Sequence, residues 1–513
     1  MSQELLKTDD LSNKLLSKWF WVYFFIVLTA PIGYILRMIL SNTISVEALG
    51  MFYGAFGLIT LLYTYNDLGL TEALQYFIPK YRINGEKDKI KLNICISFFM
   101  QMFMGILIFC SLYFWSERIA IHHFQNIEAS RILQIMAFYF LGYNVIQLCN
   151  TIFTAFQDTC AQGATDFTRQ LGILIFTIFF WWTNNLDVET YSYSRIFWVC
   201  LWILLWLILL FKKYHPLFRK IKLPKDKAQN KITLKTHFSY ALLVFLTTNI
   251  TTLLWQIDLQ IVVNVLGNEN AGYFTNFQSL LGIFNLIANS LITFIFPLTT
   301  ELITRKEKEK FRSLKTILYS YFGCFALFIS GFFLLFGKEI AVLLFSPAYT
   351  MSGTLIQIVA PCFIFNSRFT ISFSILAGLG LIKKRFWIIF TSLILNLLLN
   401  YFIIIRGGKG VERSGIIMGI TRIIMGLLGF FTVQKNDQFP IKRGFLLKNF
   451  ITIGILVLGF SQLKVFFPFG ESNTKDRILI LCITLLYTLP CILVNGRECK
   501  DLRNKVKHLK QKK

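Results

Sequence analysis

The sequence predicts an all-α integral membrane protein of about 14 transmembrane helices: two parallel six-helix lobes followed by two C-terminal helices. Three observations predict it. Apolar stretches of bilayer length follow one another from Trp19 to Asn495 with short polar breaks, and a helix needs about 20 apolar residues to cross a bilayer core. The 513 residues are 55% hydrophobic, 54 of them Phe, with mean hydropathy +0.58, a composition foreign to soluble domains. Short sequences also recur along the chain at a near-constant offset.

The spans fall at 19–39, 46–66, 92–114, 131–154, 170–186, 195–211, 238–264, 273–297, 316–336, 353–377, 386–405, 415–433, 445–467 and 477–495. The polar segment before the first span holds Lys7, Lys14 and Lys18 and is not followed by a small-residue cleavage site. It reads as the lead-in to a retained first helix. The longest hydrophilic break is Lys212 to His237. The expected organisation is therefore a first lobe over 1–211, a basic cytoplasmic linker over 212–237, a second lobe over 238–433, and two further helices with a basic tail over 434–513.

Net charge is +25, from 52 Lys and Arg against 27 Asp and Glu. Most of the basic residues lie in the two tails and in alternate breaks, among them Lys80 to Lys91, Arg305 to Lys315 and Lys435 to Lys448. That is the positive-inside bias, which places both termini of a multi-pass protein on the cytoplasmic side of the inner membrane. The charge sets topology and attraction to anionic lipid heads, and a nucleic-acid partner is not expected.

Glu47-Ala48-Leu49-Gly50-Met51-Phe52 matches Glu269-Asn270-Ala271-Gly272-Tyr273-Phe274. Ile119 to Phe124 matches Ile340 to Phe345, and Leu133 to Ala137 matches Ile356 to Ala360. The offsets are 222, 221 and 223 residues. Six spans separate the copies, an even number, so both copies have the same orientation. Repeated bundles of this kind place a substrate path between their halves and alternate access to it.

The ten Cys are scattered, mostly within spans, with no CxxC pair. They read as small packing residues. His122-His123 lies in a short outside segment, Ser116 to Ser130, without the further ligands a metal site needs. No Gly-rich loop followed by Lys-Ser/Thr occurs. No cofactor is expected, and the chain reads as a transporter with no enzymatic site.

Polar residues inside spans are costly, so their positions carry information. Tyr53, Gly57, Thr60, Thr64 and Asp67 recur at steps of three and four in the second span, one helix face. Gln278, Gly282, Asn285, Asn289 and Thr293 do so in the eighth, and Asn249, Thr252, Gln256, Gln260 and Asn264 form a stripe in the seventh. Two readings stand: a hydrated central cavity, or hydrogen bonds between packed helices. Arg37, in the first span, is a cavity cation or a snorkelling interfacial residue. Asp258 lies off its stripe, as an ion-coupling site or a structural partner of an arginine. Arg368 and Arg422 are intramembrane cations with the same two readings.

The stretch from Ile35 to Lys91 resembles the polysaccharide-transporter (oligosaccharidyl-lipid flippase) family. The resemblance is carried by Arg37, the run Glu47 to Phe52, the run Asp67-Leu68-Gly69-Leu70, and Phe77-Ile78-Pro79-Lys80 before a basic loop. Asp258 to Phe274 and Ile340 to Tyr349 look similar to it too. The family belongs to the multidrug, oligosaccharidyl-lipid and polysaccharide exporter superfamily. The resemblance implies two six-helix lobes in a V, with a cavity open to each side in turn. It implies flipping of undecaprenyl-pyrophosphate-linked oligosaccharide to the outer leaflet for polysaccharide or O-antigen synthesis, alongside polymerase and other assembly partners. Lipid II flippases of the superfamily use cavity arginines for the pyrophosphate and a groove by their last two helices for the lipid tail; Arg37 fits the first. The drug-exporting branch, the second reading, commonly has an acidic residue in its first helix, where this chain has Arg37. A membrane-embedded polysaccharide polymerase is the third; it would call for a large outside loop.

Overall fold

The computed structural model describes residues 2–219, 227–408, 410–436, 439–440 and 443–466. They divide into two compact units, Met1–Ala271 and Gly272–Lys513. The fourteenth span expected at 477–495 and the basic tail lie outside the described residues, as do Cys482, Cys491 and Cys499.

Unit 1 runs through α1 (Ser2–Thr43), α2 (Val46–Asn66), α3 (Leu70–Ile83), α4 (Lys87–Phe114) and α5 (Ser116–Ile119), which a π-turn, Ala120–Phe124, continues. It goes on through α6 (Ala129–Ala155), α7 (Thr159–Trp182), α8 (Val188–Arg219) and α9 (Lys227–Ile261), which closes in a π-turn, Val262–Leu266. The basic linker is thus helical at both ends. The next helix, α10 (Asn268–Thr304), leads into unit 2. There follow α11 (Lys308–Ile317), α12 (Gly323–Phe345), α13 (Thr350–Val359), α14 (Phe363–Gly378), α15 (Ile382–Leu399), α16 (Val411–Asn436) and α17 (Arg443–Phe466). No strand occurs among the described residues.

Nine helical stretches among the described residues are long and apolar enough to cross a membrane. Their side chains are distributed as lipid demands. On α4, Asn93, Ser97 and Gln101 recur every fourth residue and are fully buried, while Phe99, Phe103 and Phe114 are exposed by 69%, 59% and 75%. A soluble bundle would reverse this arrangement. In lipid, polar groups must find partners inside the protein and apolar ones face the solvent. Exposed Trp115, Trp181 and Trp182 end α4 and α7, as aromatic residues do at a bilayer interface.

The duplication is written into the helix starts. Val46 and Asn268, Lys87 and Lys308, Ala129 and Thr350, Thr159 and Ile382, and Val188 and Val411 each open a helix. Every pair is 221–223 residues apart, the offset read from the sequence. The copies differ at the end of α2, among other places. Where α2 ends and α3 begins, Leu68 and Gly69 take positive φ of 48° and 77°. The equivalent positions, Ser290 and Leu291, continue α10 without a break. Gly69 takes its left-handed conformation without the steric cost that Leu291 would meet at the equivalent position.

Local signals place the helices that matter for the site. Ser45 caps α2 through a hydrogen bond from the Ala48 N–H, and Asp187 caps α8 by accepting from the Thr190 N–H at 2.7 Å. Gly172 lets the Trp198 ring lie on α7, since a Cβ there would sit 1.9 Å from it. The Trp202 indole donates to the Thr165 carbonyl at 3.0 Å and ties α8 to α7. The described cysteines are all free thiols.

Candidate substrate site

Three arginines of unit 1 enter an aromatic-lined region between α1, α2, α6, α7 and α8. Phe52, Tyr53 and Phe56 of α2 present their rings at helical spacing. Arg37 of α1 is 7% exposed, and its guanidinium lies 3.6 Å from the Tyr53 ring centroid. It is stacked inside the protein, not extended to the interface.

Arg195 of α8 is equally buried. Its guanidinium is surrounded by Phe56 at 4.7 Å, Tyr191 at 5.0 Å, Phe52 at 5.3 Å and Tyr139 at 5.8 Å. Its Nη2 donates to the Tyr191 hydroxyl at 2.7 Å. Its Nε makes no hydrogen bond among the described residues, and no carboxylate pairs with it there. Arg169 of α7 sits 5.6 Å from the Tyr143 ring, with Asp166 at 3.7 Å and its own Nε without a hydrogen bond among the described residues. The rings join the three: Phe52 meets Tyr53 at 5.0 Å, and Tyr139 stacks on Tyr143 at 5.6 Å. The buried Tyr63 hydroxyl, whose ring is 5.4 Å from Tyr143, also has no hydrogen-bond partner among the described residues.

The energetics point outward from this cluster. A desolvated cation over aromatic rings gains about 2 kcal/mol, whereas burying an ion costs several kcal/mol even after relaxation. The rings hold the Arg195 charge without neutralising it. A planar guanidinium with spare donors is suited to an anion that offers paired oxygens.

Of the residues singled out in the sequence, Arg37 and Tyr53 fall in this cluster. Arg169 and Arg195 were not singled out. Both stand at the edges of apolar windows, where an arginine reads as a flank, yet α7 and α8 begin well before them.

The polar stripes of α2 and α9 close on one another. The Asn249 amide donates to the Thr64 carbonyl at 3.2 Å, and Gln260 donates to the Gly54 carbonyl at 3.2 Å. Gly57 makes the approach feasible, because a Cβ there would lie 2.8 Å from Leu259 and 3.1 Å from the Gln256 Oε1. Thr60 donates within its own helix, to Phe56 at 2.8 Å. Asp258 is buried, 3% exposed. In unit 2, Asn285 accepts from Asn366 at 3.3 Å, and Arg368 lies 5.2 Å from Phe430. Arg422, also in unit 2, is buried beside Met418. Asn289 belongs to α10, and its side chain lies outside the described ones.

A second set of bonds joins the π-turn after α5 to the end of α9. His123 Nε2 is 2.8 Å from Gln260 Oε1. Gln125 donates to the Asn264 carbonyl at 2.7 Å, Asn264 to the His122 carbonyl at 3.1 Å, and Asn268 to the Phe124 carbonyl at 2.9 Å. Burial pushes the His123 imidazole down from its usual range. It is therefore neutral near pH 7 and donates through Nε2. These bonds clasp one end of α9 to the segment before α6.

Asp67 engages the start of α3. The α2 helix ends at Asn66, and Asp67 is its C-cap with helical φ and ψ of −79° and −27°. It accepts from the Thr71 N–H at 2.9 Å and from the Thr71 hydroxyl, capping α3. Burial, with the Glu72 carboxylate beside it, pushes Asp67 up to about 6 despite those bonds. The folded protein thus holds this proton more tightly than the unfolded chain. The stability it contributes is complete below the ordinary carboxylate range and is lost as pH rises to about 6. Asp67→Asn should flatten this part of the melting-temperature profile in detergent; an unchanged profile would assign the slope to another group.

Residues 15–303 match the family described as polysaccharide biosynthesis protein, a span that holds Arg37, Arg169 and Arg195. An uncharacterized membrane protein of Methanocaldococcus jannaschii is 24% identical over 501 residues, 93% of this chain and 96% of that protein. Among solved structures, the inward closed conformation of the lipid II flippase MurJ aligns with TM-score 0.70 at 14% identity, over 93% of this chain and 99% of the other. An inward-facing multidrug resistance MATE family transporter of the MOP superfamily aligns with TM-score 0.64 at 13% identity, over 80% and 94%. The fold is that of these membrane transporters. With more than half of its length matched, the chain belongs to the polysaccharide biosynthesis protein family.

Proposed function

We propose that this chain is a flippase that moves undecaprenyl-pyrophosphate-linked oligosaccharide from the cytoplasmic to the outer leaflet, by alternating access, for polysaccharide or O-antigen synthesis. The observation that carries this reading is the buried Arg195 guanidinium, which has four aromatic neighbours and no carboxylate counter-ion among the described residues. Arg37 and Arg169 lie in the same aromatic region. A diphosphate supplies the missing negative charge, and its oxygens match the planar donors of arginine. Family membership supports a polysaccharide precursor as cargo, and the MurJ fold supports lipid-linked cargo.

The α2–α9 seam and the clasp at Gln260 act in this reading as a gate. Their bonds are few and reversible, so cargo binding can offset their loss. Gln256, Gln260 and Asn249 then face either one another or the sugar hydroxyls as the gate moves. Asp258 and Arg368 remain candidates for ion coupling and for a further cargo contact. The drug-exporter reading fares worse, because a cluster of buried guanidiniums repels cationic cargo.

Arg37 provides the test. In proteoliposomes, Arg37→Ala should lower flipping of a fluorescent undecaprenyl-diphosphate oligosaccharide about tenfold or more, the loss of one charge-assisted contact. Arg37→Lys should restore part of it, since a point charge lacks the planar fork. Normal flipping by Arg37→Ala would leave Arg37 a packing residue against Tyr53.

A further inference from the structure

We propose a saccharide-binding pocket at the end of unit 1 where α1 gives way to α2, separate from the guanidinium cluster. A cavity of about 570 Å³ opens there, within the size range of small-molecule sites. Three turns converge on it. The α1–α2 turn brings Thr43 and Ser45, the start of α6 brings Glu128 and Arg131, and the α7–α8 turn brings Asp187 and Glu189. Met51 and Ile132 give it an apolar floor.

Its charge selects against phosphate. Arg131 is taken up by Glu189 at 2.7 Å; Glu128 and Asp187, whose Oδ1 caps α8 and whose second oxygen is left over, keep the pocket negative. Anionic lipid heads and diphosphates are repelled. A metal ion is not suited either, because no three His, Cys, Asp or Glu side chains among the described residues converge as ligands. Carboxylates and hydroxyls around an apolar floor fit a sugar ring instead. The ring hydroxyls donate to the carboxylates, and its C–H face rests on Met51 and Ile132. An amine on the sugar, protonated at pH 7, is favoured further by the charge of Glu128 and Asp187.

The position gives this pocket a role. Glu189 and Arg195 lie on the same helix, six residues or about 9 Å apart, and Met51 adjoins Phe52. The sugar pocket therefore lies one to two turns from the guanidinium cluster, on shared helices. A glycan attached through a diphosphate can place its first sugars and its phosphates across such a gap. This assignment rests on the reading that the cargo carries a glycan.

Saturation-transfer NMR on the full chain in nanodiscs tests it, with glucosamine, glucose and glucose 1-phosphate as probes. Glucosamine should bind at least as tightly as glucose, and glucose 1-phosphate should give no transfer. Glu128→Gln and Asp187→Asn should each weaken glucosamine binding about tenfold, the loss of one charge-assisted contact. Asparagine is itself a good helix cap, so Asp187→Asn leaves the start of α8 in place. Transfer to glucose 1-phosphate equal to that of glucosamine, no transfer to any probe beyond empty nanodiscs, or unchanged binding in both variants would overturn the proposal. Arg195→Met should leave glucosamine binding intact, so a failure of the flippase reading and a failure of this pocket give different results.

Discussion

Replacing Arg195 with Met is expected to lower flipping of lipid-linked oligosaccharide about 100-fold while the protein inserts normally and melts at the same or a higher temperature. The loss corresponds to two charge-assisted contacts with a diphosphate, each about 1.5 kcal/mol. The stability expectation has the opposite sign from an ordinary core mutation. Met fills a similar volume and brings no charge into the aromatic pocket, and the gain from replacing a buried charge by a well-packed apolar side chain offsets the hydrogen bond that the buried Tyr191 hydroxyl loses. Arg195→Lys keeps the charge but loses the planar donors and the stacking on Phe56, so partial activity is expected. The two readouts separate function from architecture. Unchanged flipping with a melting temperature lowered by several degrees would make Arg195 a structural cation held by its rings.

Gly69→Ala should abolish accumulation of folded protein, whereas Gly85→Ala should be tolerated. Both glycines hold positive φ, 77° and 74°, so each alanine carries the same left-handed penalty of about 1 kcal/mol. Their surroundings differ. A Cβ on Gly69 would lie 2.1 Å from the Ala241 carbonyl oxygen and 3.1 Å from the Phe245 backbone nitrogen, both on α9. A Cβ on Gly85 would meet nothing within 4 Å. Backbone atoms cannot rotate away as a side chain can, so relief at Gly69 requires α3 and α9 to separate. Detergent-solubilised yield and a melting curve of each variant decide the point. Equal yields would mean that the α2–α3 turn is not held against α9 as described.

Much of this architecture is legible in the sequence because lipid imposes a coarse rule. Apolar runs of fixed length mark the spans, and a duplicated chain repeats them at a fixed offset. The matching helix starts from Val46 and Asn268 through Val188 and Val411 obey the offset read from Glu47-Ala48 and Glu269-Asn270. The same rule hides what is fine. Arg169 and Arg195 sit at the margins of apolar windows, where the average discounts them. Phe52, Phe56 and Tyr139 count as apolar mass, although their rings hold a cation. Asp67-Leu68-Gly69-Leu70 is conspicuous as a motif, but its purpose, a carboxylate that caps α3 across the left-handed turn that follows it, depends on φ angles that hydropathy does not carry. Gln260 and His123 are 137 residues apart, and no local pattern announces that they meet.

The most direct measurement of the central claim reconstitutes the purified chain in proteoliposomes loaded with a fluorescent undecaprenyl-diphosphate oligosaccharide, and follows the fraction of headgroups that an external quencher reaches. Flippase activity predicts that headgroups move between leaflets faster than in protein-free vesicles, that a diphosphate-linked lipid moves faster than its uncharged alcohol-linked counterpart, and that Arg195→Met removes the difference. Movement at the protein-free rate, or export of a cationic dye in place of the lipid-linked oligosaccharide, would contradict it.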